Sequence, residues 1–445
     1  MKYTQTSDTD VKRMLQTIGV KSIDELFSTV PESLRLGRDL DIPEGVSELE
    51  LLRDVNALGK RNHDCDELTC FLGGGAYDHF IPTLVDALSG QSEFLTAYTP
   101  YQAEASQGML QLFYEFQTMV ASLLGMDVAN ASLYEGATAA AEAVMMAIAI
   151  TRRKRAVISA SVHPDTIRVL QSYGRSRGIE VIVVAAEEGT TDEVGLAQAV
   201  DETTAAVVLQ SPNFFGCVER VDRMIPGVRD RGALAIVATD PIACGLLKPP
   251  GDFDADIVVA EGQPLGIPMQ YGGPYLGLLA CKEKYLRKMP GRVVGMTHDT
   301  EGRRAFCLAL QTREQHIKRE RATSNICTNQ GLLAIRASIY LASMGKRGMA
   351  EVASLCFEKA HYAAKRIAEI DGYDLRFDAP FFKEFVVRAS RGVRKVLESC
   401  RDRGILAGVP LVRFDDRYSD CFLVAVTEKR TKEEIDQLVD VLAAV

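Results

Sequence analysis

Leu234-Ala-Ile-Val-Ala-Thr-Asp-Pro241 and Ile257-Val-Val-Ala-Glu-Gly-Gln-Pro264 decide the fold. Each is a short apolar run that stops at an acid. Neither run alternates, which is how a strand reads when helices cover both faces of its sheet. The same pattern stands at Ala156–Ser159, Val181–Ala185 and Ala205–Gln210. Helical spacing lies between most of them, as in Pro164–Arg177 and Arg223–Arg231. Strand alternating with helix predicts an α/β layer with a mainly parallel sheet and helices on both faces. Tyr275–Cys281, after Gly272-Gly273, reads as a further strand.

Upstream, Asp8–Ile18, Ser22–Phe27 and Ser47–Leu58 read as short helices. Asn62–Gln107 has no clean period, and its Gly73-Gly-Gly75 lacks the lysine and hydroxyl residue of a phosphate loop, so it reads as a tight turn. Gln107–Leu124 and Gly136–Thr151 follow as apolar helices. Downstream of Lys282 the chain reads as helical: Glu283–Met289, Gln330–Met344 and Gly348–Glu369. The end mixes strands Phe385–Val387 and Cys421–Val426 with helices Gly392–Asp402 and Thr431–Leu442. The expected divisions are an N-terminal helical segment and arm (1–90), a large α/β domain (91–300) and a small C-terminal α+β domain (301–445).

Composition narrows the function classes. The 445 residues are 47% hydrophobic and 25% charged, with a formal charge of −9. That is globular composition, and its acidic balance argues against a nucleic-acid-backbone binder. No apolar run approaches the roughly 20 residues that span a bilayer. The polar N-terminus has no apolar signal core, and ten scattered cysteines form no CxxC pair, so a reduced, cytoplasmic protein is expected. His63-Asp-Cys65 with Cys70 matches no common zinc spacing, and no metal is expected.

In open α/β sheets ligands sit beyond the carboxyl ends of the strands. There the chain places Ser161-Val-His163-Pro164, Ser211-Pro-Asn213, Asp240-Pro241 and Glu261-Gly-Gln263-Pro264. Pyridoxal phosphate (PLP) chemistry requires an acid at the pyridine nitrogen, a flat side chain over the ring, phosphate donors and an imine-forming lysine. Asp240 suits the acid and His163 the stacking group. The amides after Glu135-Gly136, opening a helix, suit the phosphate. The lysine is missing: Gln263 stands where it is needed, and an amide forms no imine. Each piece also has a plain structural reading as a turn, a cap or a helix start. Lys248 and Lys282 are the other lysines near these strand ends, and neither follows the right strand.

Two further stretches hold chemistry. Tyr98, Tyr101, Gln102, Glu104 and Ser106 share one proline-containing segment, where phenols either bond a carboxylate or anchor packing. Arg313–Cys327 carries a charge run, read as a solvated helix face, and ends in Thr323-Ser324-Asn325, a helix start or a site wall.

Thr99–Gly108, Asn130–Glu142, Glu261–Gly266 with Tyr271–Gly277, and Arg321–Gln330 together resemble the glycine decarboxylase P-protein family of the glycine cleavage system. The likeness runs over nearly the whole chain. In many bacteria this protein is split, and the chain is similar to subunit 1, the N-terminal half. The resemblance implies the fold-type-I PLP-dependent transferase architecture, with PLP and its lysine on subunit 2 and none bound covalently here. It implies an α2β2 assembly that decarboxylates glycine and passes the aminomethyl group to the lipoyl arm of the H-protein. It further implies that Tyr98, Tyr101, Gln102, Glu104 and Ser106, and less directly His79, Thr323, Ser324 and Asn325, line the partner's active site. His163, Asp240 and Gln263 are then the vestigial site of this half. One departure is Met109, where the family commonly has arginine.

Overall fold

The apolar runs become strands because both of their faces find cover. In the computed structural model, which describes residues 5–445 apart from 323, 325 and 327, seven strands form one sheet. They are β1 (Val128–Ala129), β2 (Arg155–Ser159), β3 (Glu180–Val184), β4 (Thr204–Gln210), β5 (Leu234–Thr239), β6 (Ile257–Glu261) and β7 (Gly277–Cys281). Their order is β1-β7-β6-β5-β4-β2-β3. β2 through β6 pair in parallel, and β7 runs antiparallel to both β6 and β1. Five expected strands agree to within one residue; the last is shorter than Tyr275–Cys281, starting at Gly277.

Successive strand residues enter different cores, as the pleat requires. Val157, Val207, Val237 and Val258 point into one with helix α3 (Gln107–Leu124). Ile158, Val208, Ile236 and Val259 point into another with α4 (Gly136–Thr151). Helices α5 (Pro164–Arg177) and α6 (Val221–Asp230) lie between strands as expected. The chain divides into two compact units, Met1–His63 and Asp64–Val445. In the first, α1 (Asp8–Ile18) and α2 (Glu48–Gly59) each start on a capping box, Ser7 with Asp10 and Ser47 with Glu50; Ser22–Phe27 is reduced to a 3₁₀ turn, Asp24–Phe27.

The second unit departs from expectation after Lys282. Glu283–Lys288 is a 3₁₀ helix, and β8 (Val293–His298) pairs with β9 (Arg304–Ala309) in a hairpin that the reading missed. Gly295 and the polar stretch 297–304 blur its alternation. Two glutamines of α3 hold it, each amide bonding one backbone N–H and one carbonyl. Gln117 takes Val294 at 2.8 and 3.0 Å, and Gln107 takes Phe306 at 2.9 and 2.8 Å. The charge run that follows is short turns, Gln315–Lys318 and Arg319–Arg321, rather than one helix face. The two expected helices near the end join as α7 (Gly331–Ala368), kinked where Gly345 takes φ 57°. A four-stranded antiparallel sheet closes the chain: β10 (Tyr373–Leu375), β11 (Glu384–Ala389), β12 (Val409–Pro410) and β13 (Cys421–Ala425). The second half of α7, with α8 (Val393–Arg401) and α9 (Lys432–Ala443), covers it. Among the described residues no helix is long and apolar enough to cross a membrane.

Replacing Gln117 by leucine keeps the volume and leaves the N–H and carbonyl of Val294 buried without partners. The expected loss is about 2–4 kcal/mol of unfolding free energy, measured by urea denaturation.

Candidate functional site

The strand ends open on a cavity of about 360 Å³ lined by His163, Asp240, Glu261, Lys383, Glu384 and the glycine turn at Gly74-Gly75, among others. It lies where the strand order reverses beside β2, the position at which open α/β sheets take ligands.

Asp240 follows β5, and its carboxylate does two jobs. Oδ1 accepts the Ile242 amide at 2.9 Å, and Oδ2 meets the Nζ of Lys383 at 2.6 Å. Lys383 immediately precedes β11 and is 2% exposed. Its ammonium also donates to Nε2 of His79 at 2.9 Å and lies 3.8 Å from the ring centroid of Tyr77. An ammonium only donates, so Nε2 of His79 accepts and Nδ1 carries the proton. Nδ1 donates to Glu428 at 2.6 Å. Glu428 also takes the Phe80 amide at 2.7 Å and the Cys356 thiol at 3.4 Å. Burial opposes ionisation of Glu428, and the His79 contact outweighs it, holding the carboxyl down to about 2. Asp240, Lys383, His79 and Glu428 thus form one buried chain of hydrogen bonds. His79, Cys356 and Glu428 are the group of potential metal ligands that converges among the described residues, and hydrogen bonds already occupy them.

The phosphate end is closed in a different way. The Gly136 amide, first of α4, donates to Glu261 at 2.9 Å. Glu261 also takes the amides of Gln263 and Leu276 at 2.9 and 3.0 Å. Glu135 caps the helix, accepting the Thr138 amide at 2.7 Å. Burial pushes Glu261 up to about 7, and does the same to Glu384, which takes the Gly74 amide at 2.6 Å and the Tyr77 hydroxyl at 2.9 Å.

His163 is held at both ring nitrogens. Nε2 donates to the Gly74 carbonyl at 2.7 Å, and Nδ1 accepts the Asp165 amide at 3.1 Å. Burial lowers its basicity. The glycine turn passes so close that a Cβ on Gly75, at φ 109°, would stand 3.0 Å from Nε2. Gln263 is buried behind the cavity, with its amide bonding both backbone groups of Tyr77 and the Ile267 carbonyl. A lysine there accepts nothing and would leave the Tyr77 amide unpaired.

These residues do not fit PLP. The acid meant for a pyridinium is paired with Lys383. The amide meant for a phosphate serves Glu261, whose carboxyl fills the phosphate's place, with a second carboxyl at Glu135 beside it. No lysine stands at 263, and Lys383 binds the acid end of the cavity. Lys282 is at the far edge of the sheet, because β7 runs antiparallel, and it holds Asp254 and Asp256. Lys248 lines a different cavity, over Phe253.

The tyrosine segment does not reach this cavity. Tyr98 is 76% exposed, and Gln102 and Glu104 are also exposed. Ser106 precedes α3 without capping it. Tyr101 is half exposed, and its hydroxyl accepts from Arg292 at 2.8 Å. Ser324 is buried and bonds Glu142, and it shares a second cavity with Tyr101. Thr323 and Asn325 lie outside the described residues. Lys383 and Arg292 escaped the sequence reading. The available signal for Lys383 was a Lys-Glu pair inside the apolar run Phe381–Val387, which is the pattern of a buried pair.

The description of the glycine cleavage system P-protein family matches residues 1–442. A probable glycine dehydrogenase (decarboxylating) subunit 1 of Chloroherpeton thalassium is 49% identical over 99% of each chain. A chain in a crystal structure of glycine decarboxylase (P-protein) of the glycine cleavage system, in inhibitor-bound form, is 39% identical and superposes with a TM-score of 0.91 over the whole of both chains. A Lactobacillus brevis glutamate decarboxylase, 13% identical, shares the fold at a TM-score of 0.69 over 94% of this chain and 96% of its own. The architecture is the fold-type-I one expected.

Replacing Lys383 by methionine strands the Asp240 charge and is expected to cost about 3–5 kcal/mol, with part of it recovered by adding Asp240→Asn. Urea denaturation of the four proteins in that cycle measures it. The carboxyls make a second prediction. The raised folded-state values of Glu261 and Glu384 mean that the folded form holds more protons than the unfolded between pH 4.5 and 7. Stability therefore falls across that window, by roughly 3 kcal/mol per group, and Glu384→Gln roughly halves the slope. Glu428, depressed to about 2, contributes the opposite slope between pH 2 and 4.5.

Proposed function

The chain belongs to the glycine cleavage system P-protein family, and on that premise we propose that it is subunit 1 of a two-subunit glycine dehydrogenase (decarboxylating), inactive alone. Its partner, subunit 2, holds the PLP and the imine lysine. The pair, doubled to α2β2 in the cytoplasm, decarboxylates glycine and passes the aminomethyl group to the lipoyl arm of the H-protein. The observation that carries this reading is the occupied rim. The chain aligns with a subunit 1 relative over 99% of both and keeps the fold, yet Lys383, Glu261 and Gln263 stand where a cofactor's nitrogen, phosphate and aldehyde would need room.

Bound PLP supplies the electron sink for the carbanion left by departing carbon dioxide. The work of this chain lies at its exposed segment. Tyr98 and Tyr101, beside Gln102, Glu104 and Ser106, offer phenol and amide donors to a neighbouring subunit's site. Tyr101 is suited to donate: Arg292 already bonds its oxygen, so its proton points elsewhere. Covering that site with phenols excludes water and holds the substrate carboxylate.

The test is to treat the chain, alone and with subunit 2, with PLP and borohydride and to map pyridoxyl-lysine by mass spectrometry. The label is expected only on the partner, with glycine decarboxylation only in the mixture. A labelled lysine on this chain together with activity would overturn the reading. In the assembled complex, Tyr98→Phe or Tyr101→Phe is expected to lower turnover about 10- to 100-fold, the value of one hydrogen bond to a charged group. Unchanged turnover would make the chain a scaffold.

A further inference from the structure

Beside the tyrosine segment lies a second cavity of about 210 Å³, walled by Tyr101, Gly291, Arg292, Arg313, Glu314 and His316 among others. Two guanidiniums face it. Arg292 immediately precedes β8, with its side chain 6% exposed, and it is engaged by Tyr101 through a hydrogen bond and through the ring face. Arg313 is different. It is half-buried, and it donates from Nη2 to the Gly291 carbonyl at 3.0 Å. Its Nε is sealed from solvent with no hydrogen-bond partner.

One carboxylate shares the cavity and attracts Arg313 without pairing with it. Glu314 is 12% exposed, and its Oε2 lies 4.0 Å from Nε of Arg292 and 3.6 Å from Nδ1 of His316. No carboxylate among the described residues comes within 4 Å of the Arg313 guanidinium. Burial of that charge pulls Arg313 below the ordinary range for arginine. A sealed guanidinium nitrogen without an acceptor is costly, and a planar fork of donors is matched by an oxyanion. The phenol of Tyr101, which accepts from Arg292, has its proton free to donate at the same mouth. That mouth opens beside the exposed tyrosine segment.

We propose that this cavity is an oxyanion site that takes the carboxylate or phosphate group of a small ligand, with Arg313 as the principal charge and Arg292 setting the Tyr101 hydroxyl. It deepens the reading above, on which the Tyr101 role rests, and adds the two arginines, whose ion binding is tested on this chain alone.

The test titrates the purified chain with inorganic phosphate and with acetate, in chloride buffer of constant ionic strength, by calorimetry. Saturable binding of one ion per chain is expected, at least 10-fold weaker in Arg313→Met and partly restored in Arg313→Lys. Arg168→Met, on the exposed face of α5, is expected to leave it unchanged. Phosphate binding without acetate binding assigns a phosphate ester, and acetate binding assigns a carboxylate. Absence of both from the folded chain, or binding unaltered in Arg313→Met, overturns the proposal. Should Arg313→Met not fold, phenylglyoxal labelling of Arg313 in the unaltered chain, mapped by mass spectrometry, must be slowed by whichever ion binds. Labelling that neither ion slows overturns it equally. Failure here with decarboxylation intact in the complex separates this site from the proposed function.

Discussion

The ammonium of Lys383 sits between an acid, an imidazole and a phenol ring, and the interior depends on it. Asp240 follows the central strand β5, His79 belongs to the segment after the glycine turn, and Lys383 itself leads into the C-terminal sheet. One buried cation therefore joins three parts of the chain that are remote in sequence. Each of its donors has a destination, which is the condition for a buried charge to be tolerated. Glu428 extends the chain of bonds to the loop after β13, where Asp78 is also gripped by Lys429 and Arg430.

Seen from that pair, the rim holds protein groups at the positions that suit a cofactor. A pyridinium facing Asp240 and an ammonium facing Asp240 satisfy the same acid. A phosphate at the start of α4 and the carboxylate of Glu261 use the same amide. Protein groups alone satisfy these bonds, with no ligand needed to complete them. Glu261 and Glu384 bear the cost: burial favours their neutral forms near neutral pH.

The α/β layer, the run of helices and the positions of Asp240, His163 and Gln263 were legible because strand and helix periods are local properties. So was the missing lysine, since a residue type at a strand end needs no coordinates. The hairpin β8–β9 was not legible. Its alternation is broken by Gly295, and what holds it is side-chain bonding from Gln107 and Gln117, residues far away along the chain. Neither Lys383 nor Arg292 was legible as a site residue, because a charge says nothing of its partner until the fold brings one.

The sequence by itself determined the fold class, the family and the absence of an imine-forming lysine at 263, all of which follow from the order and spacing of residues. The tertiary structure decided how the strand-end groups are paired. Only in three dimensions do Lys383 reach Asp240 and Glu261 reach the first amide of α4, and only there is Nε of Arg313 sealed from water without an acceptor. The physical reason is the same in each case: electrostatic partnership depends on distance and burial, and neither is written along the chain.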